Sequence, residues 1–285
     1  MRVLIAGAGG QLGIDLVRCC KEAGDDVVAA SHGDLDIVDR DAVHGAVSSL
    51  RPEVVINCAA WTAVDACESD PDRALAHNGL AVRWLAESCD RAGARLVQMS
   101  TDYVFDGSLD RPYNEWDEPA PQSVYGASKL MGEREALRLG PSATVVRTSW
   151  VCGQNGSNMV MTIMRLADQH SELAFVDDQI GHPTFTSDLA PMVRRLAVDR
   201  RSGIVHVTNQ IPTSWYGFAR LVVAAMGRSP DMVRPIKTAE LQPPRPARRP
   251  ANSVLDNAVL RAAGIKLLRD FEEPLRETVQ ALSQR

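Results

Sequence analysis

A five-residue apolar run that empties into glycines limits what this chain can fold into more than any other stretch. Arg2-Val3-Leu4-Ile5-Ala6 leads into Gly7-Ala8-Gly9-Gly10-Gln11-Leu12-Gly13, after which apolar residues recur at helical spacing through about Ala23. The predicted order is strand, glycine turn, helix. A strand buried on both faces is continuously apolar. Glycines let the backbone approach a pyrophosphate, and the helix N-terminus offers N–H groups and a positive dipole. Gly7, Gly10 and Gly13 are therefore assigned to a dinucleotide. Alone, such a motif marks only a tight turn; following a strand and opening a helix, it has the context it needs.

Further apolar runs repeat the pattern. Val27–Ala30, Val54–Ala60, Leu96–Ser100 and Thr144–Thr148 read as strands, with helical periodicity between them from about Pro71 to Arg91. Strands alternating with helices predict an α/β fold, a doubly wound parallel sheet of Rossmann type. Residues 1–150 are expected to form the dinucleotide-binding domain. Residues 151–285 are expected to form mainly a smaller, mixed α/β substrate domain, some of whose segments return to the main sheet. In that second part helices are predicted near 157–170, from Thr186, over 215–226 and after Asp270, with short strands at 173–176 and 204–207. Residues 109–122, with Pro112, Pro119 and Pro121, read as a loop over the site. Pro243 to Pro250 reads as rigid extended backbone, solvent-exposed if it is only a linker.

The second strand ends in Ser31-His32-Gly33, where an NAD-selective site usually places an acid against the ribose diol. Without that acid a 2′-phosphate is not repelled, so use of NADPH as well as NADH is expected. Asp36 is a candidate for the adenine edge or, equally, a loop or helix cap.

Chemistry concentrates at 100–129. Thr101 stands at the carboxyl end of the fourth strand, and Tyr125 and Lys129 share a helical face four residues apart. With four Tyr and four Lys in 285 residues, chance would supply roughly 0.06 Tyr-x-x-x-Lys matches. A phenol whose pKa is lowered by a neighbouring ammonium suits the protonation of a carbonyl oxygen as hydride reaches its carbon, and Thr101 would hold that oxygen.

Net charge is −5, from 31 Lys and Arg against 36 Asp and Glu, and no basic run outside 245–249 suggests nucleic acid. The six cysteines form no C-x-x-C pair, which suits reduced, buried thiols in the cytoplasm and no zinc site. No leader precedes the first strand and no apolar run approaches ~18 residues, so no membrane partner is expected.

Taken together, G-A-G-G-Q-L-G at 7–13, S-T-D-Y-V-F-D-G at 100–107, Y-G-A-S-K at 125–129, R-T-S-W-V at 147–151 and A-R-R-P-A-N-S at 247–253 resemble the dTDP-4-dehydrorhamnose reductase family of extended short-chain dehydrogenases/reductases. The resemblance spans nearly the whole chain, in order. It implies reduction of the 4-keto group of a dTDP-4-dehydro-β-L-rhamnose substrate by NADPH or NADH, in deoxysugar nucleotide biosynthesis. Tyr125 would be the proton donor, Lys129 the ligand of the nicotinamide ribose and Thr101 the holder of the keto oxygen. Gly10, Gln11, Leu12, Ala60, Trp61 and Thr62 would line the cofactor, with Asp36 and Ile37 near the adenine. Asp102, Tyr103 and Trp150 would face the sugar, Trp150 being otherwise a core aromatic past a strand. Arg245, Arg249 and Asn252 become candidates for the diphosphate or its surroundings. Some members of the family form dimers with a divalent metal at the interface, but no acid cluster here assigns one. The chain departs from the family at Trp61 and Cys152.

Competing functions share the fold. Dehydratases follow the active-site Thr with an acidic pair, whereas Asp102 is followed here by Tyr103. Epimerases, and ketoreductases making another 6-deoxyhexose nucleotide, keep the Tyr and Lys. A regulatory subunit of methionine adenosyltransferase looks like these reductases and only binds; the joint presence of Thr101, Tyr125 and Lys129 argues for catalysis.

Overall fold

Alternate residues of each N-terminal strand feed two different apolar layers, which is why those strands are apolar throughout. Val3 and Ile5 of β1 (Arg2–Ala6) pack with α1 (Gln11–Glu22), while Leu4 and Ala6 face the opposite layer. That opposite layer contains Val43 and Val47 of α2 (Arg40–Leu50) and Val82, Leu85 and Cys89 of a later helix. The structure, a computed structural model, describes residues 1–284; Arg285, the last residue of the expected second domain, lies outside the described residues.

Between α2 and that later helix come β3 (Val54–Asn57), the short helices α3 (Val64–Ser69) and α4 (Pro71–Leu75), one π-helical turn at Ala76–Leu80, and then α5 (Ala81–Ala92) itself. The strand β2 (Asp26–Ala30) precedes α2, and β4 (Arg95–Thr101), α6 (Val124–Leu137) and β5 (Ala143–Thr148) follow α5. All pairings in the main sheet are parallel, in the order Gly203–His206, β5, β4, β3, β1, β2. The chain leaves β1 towards β2 on one side and returns as β3 on the other. The carboxyl ends of β1 and β3 therefore flank the crevice where open α/β sheets bind ligands.

The single helix expected over 71–91 is interrupted by the π turn, which places Asn78 inward, fully buried. Such one-residue insertions recur at functional sites.

The last strand of the main sheet, Gly203–His206, comes from the C-terminal half. So does the helix Thr186–Val198, whose Leu189, Val193 and Leu196 join the apolar layer against α1. A third core gathers Val160, Ile163, Phe185, Phe218, Val222 and Phe271, and the strands Leu173–Val176 and Val233–Ile236 pair in parallel beside it. Cys152 is buried in this core.

The 243–250 segment is not a bare linker. Ala247 and Pro250 are buried, and the chain just beyond pairs with Ile180 and Tyr113. Among the described residues no helix is long and apolar enough to cross a membrane, and no group of three or more His, Cys, Asp or Glu is placed to hold a metal ion.

Candidate active site

The glycine turn is shaped by close backbone contact. Gly7 has φ +74°, and a Cβ there would lie 2.6 Å from the Ala59 nitrogen; one at Gly13 would lie 2.2 Å from the Gly7 oxygen. The N-terminus of α1 has no side-chain cap and no acid in its first turn, which leaves its N–H groups and dipole to an anion. In front of it opens a groove of about 390 Å³ lined by Gly7, Gly9, Gly10, Asp36, Ile37 and Ala60, with Cys58 and His32. A cradle that a single Cβ would fill, beside an uncapped helix, fits a dinucleotide pyrophosphate.

Other expected cofactor residues sit differently. The Leu12 side chain is in the core, so only its backbone faces the turn. Gln11 donates from Nε2 to the Ser157 carbonyl at 3.0 Å, tying the turn to the loop before α7 (Met159–Gln169). The Trp61 ring is turned to Arg73, 4.6 Å from its centroid, and to His77, while the Trp61 backbone N–H donates to Asn78 Oδ1 at 2.9 Å. Thr62 is exposed. Asp36 lines the groove and also accepts from the Val38 N–H, as a loop acid does.

The end of β2 does carry an acid. Asp34 Oδ2 accepts from the Ser31 N–H at 2.9 Å and from the Ser31 hydroxyl at 2.5 Å, and these bonds hold its carboxyl below the usual range. Three residues of turn bring back the charge that the strand's last residue lacks.

Thr101, Tyr125 and Lys129 converge and are buried. Ser123 caps α6 by accepting from the Gly126 N–H at 3.1 Å. Gly126 has no room for a Cβ, which would lie 2.2 Å from the Tyr103 oxygen. The helix can thus press on the turn after β4, which brings the Tyr125 phenol beside Thr101. Tyr103 stands edge-on to Tyr125, centroids 5.6 Å apart. Lys129 Nζ donates to the Met99 carbonyl at 2.7 Å.

The electrostatics differ from the expected lowering of the phenol by the ammonium. Burial pushes Tyr125 well above its ordinary value, against a lowering by Thr101 and with further raising from Asp102. Burial likewise lowers Lys129 to about 8, opposed by Glu133. Desolvation outweighs attraction because both groups are sealed from water. The phenol is accordingly fully protonated near neutral pH. Asp102, pushed up to about 6 by burial, accepts from the Thr101 hydroxyl at 2.9 Å and leaves Oδ2 without a partner.

Behind this group lies a buried ion pair. Glu133, one turn after Lys129, receives Arg147 at 2.8 and 2.7 Å and the Ser100 hydroxyl at 2.5 Å. The arginine of the R-T-S-W-V stretch thus ties α6 to β5, and Ser100 ties it to the strand end that carries Thr101.

A second cavity, about 370 Å³, runs from Tyr103 past Arg249 and Arg245 to Gln179, Phe175 and Trp215. Trp150, at φ +45°, stacks face to face on Trp215 at 3.6 Å and backs the cavity wall. So rare a backbone for an aromatic marks a constrained position. Arg249 gives both of its terminal nitrogens to Asp65, each at 2.7 Å. Asn252 spends its amide on the Leu109 and Arg111 carbonyls and accepts from the Val254 N–H. These two expected phosphate ligands are engaged by protein groups instead, whereas Arg245, with its side chain 52% exposed, makes one long contact, with Asp65 at 3.4 Å.

Asp65, Asn78, Glu133 and Trp215 went unnoticed in the sequence. Glu133 was within reach, since it continues the face of Tyr125 and Lys129 at the next i+4 position. Asn78, which also donates to Ser128 at 3.0 Å, depends on the π turn, which periodicity does not announce.

A Rossmann sheet whose crevice is faced by a Tyr-x-x-x-Lys helix and a strand-end threonine, with a second cavity beside them, defines an extended short-chain dehydrogenase/reductase. The family profile described as RmlD substrate binding domain matches residues 1–284. A dTDP-4-dehydrorhamnose reductase of Streptomyces griseus is 44% identical, over 100% of this chain and 95% of its own. A crystal structure of a dTDP-4-dehydrorhamnose reductase from Clostridium acetobutylicum superposes with TM-score 0.95 at 40% identity, covering 99% of this chain and 100% of that one. One from Bacillus anthracis, in complex with NADP, gives TM-score 0.94 at 36% identity, covering 98% and 99%. The chain belongs to the dTDP-4-dehydrorhamnose reductase family.

Proposed function

We propose that this chain reduces the 4-keto group of dTDP-4-dehydro-β-L-rhamnose to the alcohol of dTDP-L-rhamnose, with NADPH or NADH as donor. The observation that carries this is the sealed Thr101–Tyr125 pair, beside Tyr103 at the head of the second cavity. The residues 1–150 supply most of the cofactor groove and 151–285 most of the second cavity.

When bound, the nicotinamide supplies the hydride. Gly7, Gly10 and the N-terminus of α1 would hold its pyrophosphate, Asp36 and Ile37 the adenosine end, and Lys129 the nicotinamide ribose. Tyr125, protonated and out of water, gives its proton to the keto oxygen; Thr101 and Tyr125 orient that oxygen. By accepting the Thr101 hydroxyl, Asp102 Oδ1 fixes its direction until substrate competes for it. Tyr103 occupies the position of the second acid that elimination would need. Six free cysteines support a cytoplasmic setting.

Incubation with dTDP-4-dehydrorhamnose and each cofactor, with stereochemical analysis of the product at carbon 4, tests the assignment. One equivalent of NADPH should be oxidised per ketosugar consumed, which neither an epimerase nor a binding subunit would do. Tyr125→Phe should lower turnover by roughly 10² to 10⁴-fold with cofactor affinity kept. Near wild-type turnover in that variant would remove Tyr125 as donor.

A further inference from the structure

Asp65 lies in the first turn of α3, in the N-terminal part of the chain, yet its partners come from a segment about 180 residues further along. Its carboxylate receives Arg249 Nη1 and Nη2 at 2.7 Å each, the Ala247 N–H at 3.1 Å and Arg245 Nη1 at 3.4 Å. One carboxylate thereby gathers four hydrogen bonds from a five-residue strap. Exposed ion pairs contribute little, but a two-pronged pair with the Arg249 side chain only 13% exposed is a geometric clamp. The same short helix supplies Glu68, which accepts from the Val124 N–H at 2.8 Å at the start of the catalytic helix. The strap and the catalytic tyrosine are thus registered against one element.

What the clamp points at is the second cavity. Arg245 and Arg249 both line it, together with Tyr103, whose ring abuts Tyr125. Arg249 gives Nη1 to Asp65 and to the Ala247 carbonyl and Nη2 to Asp65, so its fork is not open to an anion. Its work is to hold the strap. Arg245, tied by one long contact, keeps donors for a ligand.

We propose that Asp65 is a positioning residue for the sugar nucleotide: by clamping Arg249 it sets the 245–249 strap over the cavity, so that Arg245 meets the diphosphate and Tyr103 stays against Tyr125. This rests on the cavity taking a dTDP-sugar. Asp65→Asn keeps the size and removes the charge. It should raise KM for the ketosugar and Kd for dTDP by about 10 to 100-fold, the scale of a charge-assisted hydrogen bond lost, with kcat within about threefold and NADPH affinity unchanged. Asp65→Glu, which keeps the carboxylate, should recover part of the loss.

The test combines ketosugar kinetics, dTDP and NADPH titration calorimetry, and melting curves. Because the proposed route runs through Arg249, adding Asp65→Asn to Arg249→Met should cost little beyond Arg249→Met alone. A folded Asp65→Asn with unchanged KM overturns the proposal. So does tighter dTDP binding, which would make Asp65 a competitor for the arginines, and so does an equal loss of NADPH affinity. If the unaltered protein binds dTDP but leaves the ketosugar untouched, the proposed reaction fails while the dTDP arm still decides the role of Asp65. If it does not bind dTDP, both fall.

Discussion

Replacing Lys129 by Met should make the protein more stable and less able to hold its cofactor. Lys129 is 4% exposed, and burial lowers its pKa from the ordinary 10.5 to about 8. At 1.36 kcal/mol per pH unit, that gap means the charged side chain costs about 3 kcal/mol in the fold at pH 7. Removing it orphans no acceptor, because the Met99 carbonyl also accepts from Gln98 Nε2 at 2.7 Å. The sign with pH follows from the folded pKa being the lower one. Between about 8 and 10.5 the unfolded chain binds more protons, so the wild type gains stability as pH rises through that window. The Met variant has no such gain. Its advantage should be full below pH 8 and nearly gone by about 10.5. For a chain of this size about 3 kcal/mol corresponds to roughly 6–10 °C in Tm. Scanning calorimetry of both proteins at pH 7 and pH 10, without nucleotide, reads the difference directly. A Met variant that melts lower than wild type at pH 7, or a gap that is equal at the two pH values, would refute the reasoning.

Three other outcomes are expected. Asp34→Asn removes the carboxylate that Ser31 anchors at the end of β2, so kcat/KM for NADPH relative to NADH should rise by about tenfold, and an unchanged ratio would separate Asp34 from cofactor choice. Arg147→Met leaves Glu133 buried with only Ser100, which should cost about 3–5 kcal/mol, whereas Arg147→Met with Glu133→Leu should recover most of the lost Tm. Trp215→Ala removes the aromatic wall on which Trp150 stacks, so dTDP should bind at least about tenfold more weakly while NADPH binding stays as it was; equal losses would point to misfolding.

The chain's local signals carry the fold further than they carry the site. Val3 to Ala6, the glycines and the later apolar runs each specify their own element, and the parallel sheet follows from their alternation. Thr101 and Tyr125 were legible because a strand end and a helix start are local features. Helix α2 passed unread although Asp39 caps it, since Gly45 and two serines blur its periodicity. Asp65 lay beyond such reasoning: a carboxylate in a short helix gains meaning only when Arg249 arrives from the far side of the fold. The shift of Tyr125 was misjudged for a related reason. Spacing revealed a nearby ammonium but not how completely both groups leave water, and that desolvation decides the direction.

The edge strand Gly203–His206 and the helix Thr186–Val198 bear on how the protein is made. They close the main sheet and cover much of the layer against α1, to which Leu260, Ile265 and Leu268 add later still, so during synthesis the apolar faces of β5 and α1 wait for residues beyond 200 of 285. The glycine turn, translated well before these pieces, is backed by a finished core only when they have emerged. A nascent chain halted near residue 150 therefore presents an open, apolar sheet edge, the kind of surface that chaperones engage and that aggregates in their absence.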